Sequence, residues 1–79
     1  MEMYELMARY DARKSFYGKA HVMEDENGKT LLSYGTKICR IDNDGNLSRL
    51  WHGNSQTTTR HVKEFLKQFG GNYEEYRRA

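Results

Sequence analysis

Val62, Phe65, Leu66 and Phe69 fall at i, i+3, i+4 and i+7, which is one face of a 3.6-residue period. They lie within the stretch Thr57 to Gly71. Thr57, Thr58 and Thr59 offer N-cap hydroxyls ahead of the stripe, and Gly70-Gly71 offers a left-handed stop behind it. The pattern predicts one amphipathic helix. A lone helix this short is marginal in water, so its stripe must dock on the rest of the chain.

The preceding residues read mainly as strands. Met3 to Tyr10 fits two periods: Tyr4, Leu6, Ala8 and Tyr10 alternate, while Met3, Leu6, Met7 and Tyr10 match a helix face. The segment ends at Tyr10-Asp11 without a helix stop, which favours the strand. Asp11 to Ser15 is a charged loop, and Phe16 to Asp25 reads as a second strand with Gly18 as a bulge. Asn27-Gly28 is a hairpin signal, with Lys29 to Tyr34 returning. Gly35 reads as a bend inside a longer strand that continues through Thr36 to Ile41. Asp42-Asn43-Asp44-Gly45 is a second tight turn, Asn46 to Trp51 returns, and His52 to Gln56 is a polar loop. Asn72 to Ala79 reads as a last helical turn or a frayed tail.

The expected fold is α+β: a small antiparallel sheet of four to five strands with one C-terminal helix packed on one face. Connections of two to four residues are too short for parallel crossovers. Residues 1–79 form a single domain. The predicted core is Leu6, Ala20, Val22, Leu32, Ile38, Ile41, Leu47, Val62, Phe65, Leu66 and Phe69.

A chain of 79 residues buries only ~60% of its unfolded surface, so aromatic packing, a partner or a second copy must help. Aromatic residues make up 13% of the chain and carry much of that load. Thirteen Lys plus Arg against eleven Asp plus Glu leave +2, too little to imply nucleic acid by itself. Cys39 is the single cysteine, so no intrachain disulfide forms. No N-terminal apolar run is long enough for a signal peptide or a membrane span, and the single cysteine fits a cytosolic setting.

No cofactor, metal or catalytic constellation emerges. His21, Cys39, His52 and His61 share no ligand spacing. Asp42 opens a calcium-like run, but the sixth position is Leu47 and the twelfth is Gly53, where an EF-hand loop needs Gly and Glu. Cys39, Ser33 and Ser48 lack any nucleophile motif. Lys37, on the same face of an alternating strand as Cys39, is the one residue placed to activate its thiol.

Two binding readings remain. Arg9, Arg13, Lys14 and Lys19 interleave with Phe16 and Tyr17, a basic-aromatic pattern suited to phosphates and stacked bases. The helix adds Arg60, Lys63 and Lys67, but Glu64 at i+4 from Arg60 makes that side read as a solvated, mixed-charge face. Alternatively, Tyr17, Tyr34 and Trp51, with Arg60 and His61, are residue types that anchor protein interfaces. Arg60 and His61 sit near the helix start, where cations oppose the macrodipole; Asp11 or a partner's acid is the expected counter-charge.

The blocks Tyr10-Asp11-Ala12-Arg13-Lys14-Ser15-Phe16-Tyr17-Gly18-Lys19-Ala20, Ser33-Tyr34-Gly35-Thr36 and Thr57 to Gln68 carry a resemblance. Together they resemble small uncharacterised proteins encoded by phages and plasmids of Gram-positive bacteria. Those share Y-D-[AS]-R-x-S-F-Y-G-K-A, S-Y-x-T and T-T-x-R-H-[IV]-x-E-F-L-x-Q blocks, the last being the most specific. The resemblance implies a setting and no functional residue. In that setting the expected function is non-enzymatic: binding a host protein or protein complex, most concretely inhibiting a host defence complex as anti-CRISPR proteins do. A nucleic-acid-binding accessory protein is the alternative, and a homodimer burying its own aromatics is a third.

Overall fold

A computed structural model describes residues 2–7, 9, 18–53 and 55–79. Five strands form one antiparallel sheet in sequential order: β1 (Glu2–Glu5), β2 (Ala20–Asp25), β3 (Gly28–Ser33), β4 (Thr36–Asp42) and β5 (Leu47–Arg49). Two helices follow, α1 (Gln56–Phe69) and α2 (Tyr73–Arg78). The fold is the expected α+β meander with its helices after the sheet. The second strand begins at Ala20; Gly18 has φ 69° in the turn before it, and Phe16 and Tyr17 lie outside the described residues.

Each hairpin has a local cause. Asp25 Oδ1 accepts from the amides of Asn27 and Gly28 and so closes the β2–β3 turn. Asp42 Oδ1 accepts from the amides of Asp44 and Asn46, and Gly45 takes φ 86°. Gly35 corrects the sequence reading. It does not bend a continuous strand but ends one: Tyr34 (φ 52°) and Gly35 (φ 82°) form a two-residue turn between β3 and β4, with Ser33 facing Thr36. Positive φ at both positions matches the right-handed twist of the strands.

That turn sets which residues face inward. Val22 faces Leu31 and Ala20 faces Ser33, so Leu31 is buried where Leu32 was expected. Ile38 is an extra residue in β4, since Leu31 pairs with Cys39 but Leu32 with Lys37. The bulge lets Ile38 and Cys39 both enter the core, and it turns Lys37 away from Cys39. The core otherwise holds Leu6, Ala20, Val22, Ile41, Val62, Phe65, Leu66 and Tyr76. Leu47 and Phe69, expected inside, are only partly buried at its margin.

The N-cap of α1 is Ser55, not a threonine: its side chain accepts from Thr58 N at 3.3 Å, and Thr59 Oγ1 donates to Ser55 O at 2.8 Å. Gly70 supplies the left-handed stop at φ 84°. The earlier start moves Arg60 into the second turn, where the macrodipole opposes a cation less. Residues 73–78 are a capped helix rather than a frayed tail. Asn72 Oδ1 accepts from Glu74 N, and acids open the helix while Arg77 and Arg78 close it. Arg49 anchors α2 to β5: its guanidinium lies 4.3 Å from the Tyr76 ring centroid and donates to Tyr76 O and Trp51 O. No helix among the described residues is long and apolar enough to cross a membrane.

Candidate interaction surfaces

Besides its apolar stripe, α1 has a second stripe that is polar. Thr57, His61, Glu64 and Gln68 fall at i, i+4, i+7 and i+11, and His61 and Glu64 are buried. Ser33 Oγ lies 2.8 Å from His61 Nδ1 and 3.1 Å from Thr58 Oγ1. Gln68 Nε2 donates to Glu64 Oε2 at 2.6 Å and to Met7 O at 2.7 Å. His61 and Glu64 have further interaction partners. The Tyr34 ring lies 6.0 Å from the His61 ring, and Lys19 Nζ is 6.0 Å from the Tyr34 centroid. The serine of the S-Y-x-T block thus meets the histidine of the helix block in the protein interior. These contacts tie α1 to β3 and to the segment that follows β1.

This arrangement corrects two expectations. His61 was a partner-binding candidate, yet it is 0% exposed, so its imidazole is closed to a partner, whereas the Tyr34 ring beside it is exposed. Glu64 was the expected surface mate of Arg60, yet it points inward to Gln68. A serine beside a histidine also invites a nucleophilic reading. At 2% exposure, however, Ser33 is closed to substrate, and its hydroxyl bridges two secondary-structure elements. Cys39 is likewise shut away. Burial pushes its thiol up to about 12, against the smaller opposing effect of Arg49. Among the described residues no cluster of three His, Cys, Asp or Glu side chains could hold a metal.

The remaining candidates disperse. Trp51 is half-buried against the core, and a Cβ at Gly53 would overlap its ring. Arg60 is half-buried, whereas Tyr34 is exposed at its turn. Of the basic-aromatic set, Arg13, Lys14, Phe16 and Tyr17 lie outside the described residues. Lys19 sits with Tyr34, near His61. Arg9 lines a groove with Tyr4, Gln68 and Phe69, about 10 Å further along α1 at 1.5 Å per residue. The described members therefore do not form one patch.

A surface that sequence reasoning missed lies on the sheet. Strand register places Lys29, Leu31 and Ser33 under the helices, and Met3, Glu5, His21, Met23, Thr30, Leu32, Arg40 and Ser48 on the other face. No described helix covers that second face. Met3 lies directly across from Met23. Alternation puts Met7 and Leu50 on the same side, next to the inward Leu6 and Arg49. Met3, Met7 and Leu50 are 58%, 53% and 48% exposed. Three of the chain's four methionines therefore line one face that no described helix covers. The signal was present in the alternation of Met3, Glu5 and Met7, but the face it belonged to depended on the register.

No curated protein and no solved structure matches this chain. Residues 4–79 match DUF8033, a family of unknown function, and the chain belongs to that family.

Proposed function

We propose that this chain is a non-enzymatic binding protein that acts by occupying a surface of a partner protein. The observation that carries the reading is the sheet face that no described helix covers, bearing Met3, Met7, Met23, Leu32 and Leu50. Unbranched, polarizable methionine side chains adapt to irregular partners, and exposed apolar groups gain by leaving water. Of the three candidate nucleophiles, Ser33 and Cys39 are buried and Ser48 is exposed with no described histidine bonded to it, which also supports binding over catalysis. Inhibition of a host defence complex in the bacterial cytoplasm is the most concrete form of this reading. It rests on the resemblance to proteins of mobile elements. The test is affinity capture by the tagged protein from bacterial lysate with and without nuclease, read by mass spectrometry. A stoichiometric protein that survives nuclease is expected. Recovery of nucleic acid alone, or of proteins lost with nuclease, would replace this reading with the nucleic-acid alternative.

A further inference from the structure

The outward side of α1 carries three cations. Arg60, Lys63 and Lys67 lie at i, i+3 and i+7, a stripe about 10 Å long at 1.5 Å per residue. Because Glu64 turns inward, no carboxylate among the described residues comes within 4.0 Å of these three cations. Beside Lys63 and Lys67 runs a groove of about 490 Å³ between α1 and α2, lined also by Leu66, Gly71, Asn72 and Tyr73. Leu66 lies beneath it, 2% exposed. The connector can lie on Leu66 only because Gly71 has no side chain: a Cβ there would overlap Leu66 Cδ2 and come 3.1 Å from Ile41 Cδ1. The Tyr73 ring forms a wall, with Lys63 Nζ 5.0 Å from its centroid.

We propose that this groove binds an acidic segment of another protein, seating an apolar side chain against the Tyr73 ring while Lys63 and Lys67 hold flanking carboxylates. The proposal rests on the reading of the chain as a binding protein, but it concerns a surface distinct from the methionine face. Charge complementarity selects the occupant. A continuous phosphate backbone fits less well, because it needs many cations along its length and the whole chain carries only +2. Glu74, in the first turn of α2, is engaged by Arg77 at 3.0 Å.

The test uses the full chain and two fluorescent probes of equal charge: a glutamate-rich peptide with a central phenylalanine, and a single-stranded oligonucleotide. Fluorescence anisotropy should show the peptide bound by wild type. Binding should be about tenfold weaker for Lys67→Glu, weaker still for Lys63→Glu/Lys67→Glu, and unchanged for the exposed, charge-matched Lys37→Glu. Lys63 packs on Tyr73, so the single Lys67→Glu variant keeps the test valid if the double variant folds poorly. Three results would overturn the proposal: no peptide binding, equal binding by the Lys63 and Lys67 variants, or tighter binding of the oligonucleotide through the same lysines. The Lys63 and Lys67 variants leave the methionine face intact, so partner capture from lysate fails or succeeds separately.

Discussion

Ser33 Oγ lies 2.8 Å from His61 Nδ1, which ties the end of β3 to the middle of α1 inside the protein. Both groups are buried, so deleting either one removes a buried hydrogen bond from the other. Ser33→Ala and His61→Ala should each lower unfolding free energy by about 1–3 kcal/mol. The double variant should lose clearly less than the sum of the two. Urea titration of the four proteins measures the coupling; additive losses would contradict it.

Gly28 is a position where the backbone itself demands glycine. Its φ is 146°, and a Cβ would overlap Ile41 O and come 2.7 Å from Asp42 Cα on β4. Gly28→Ala should destabilise by more than about 1 kcal/mol, through strain and displacement of β4. Gly35→Asn meets nothing within 4 Å and suits a positive φ, so it should change stability far less. Thermal melts of the two variants compare the sites directly.

Cys39 gives the chain an alkaline limit. Its thiol is raised from 9.0 to about 12 by burial, so folding favours the protonated form. That contribution is complete below the unfolded value and is lost as pH rises from 9.0 toward about 12. Cys39→Ala should therefore show a shallower fall in stability across this window than wild type. Parallel denaturation curves across alkaline pH check the slope. In the native protein the thiol should also resist a thiol-specific reagent at neutral pH.

The docking of α2 depends on one planar side chain. Arg49 stacks at 4.3 Å on Tyr76 while donating to Tyr76 O and Trp51 O. A lysine cannot make that stacked fork. Arg49→Lys should accelerate amide exchange over residues 73–79 while leaving β2 to β4 protected. Uniform acceleration across the chain would contradict a local role.

The strands and the helix were legible because their periods, turn residues and caps agree. The inner face of the sheet was less so. The Tyr34-Gly35 turn places an aromatic residue at positive φ, where Asn or Gly is usual, and Ile38 adds a bulge without glycine. Together they move Leu31 inward in place of Leu32 and turn Lys37 from Cys39. The roles of His61 and Glu64 were also hidden. Helical periodicity marks apolar stripes, and a polar stripe that is buried looks like surface until its partners Ser33 and Gln68 are placed. The methionine face needed the cross-strand register before Met3, Met7 and Met23 could be joined.

The most direct test of binding through the sheet is capture from nuclease-treated lysate by wild type and by Met3→Glu/Leu50→Glu. Both substituted side chains are exposed, so the variant should fold as wild type does. A protein recovered stoichiometrically by wild type and lost by the variant is the expected result. A partner held equally by both would contradict the proposed surface.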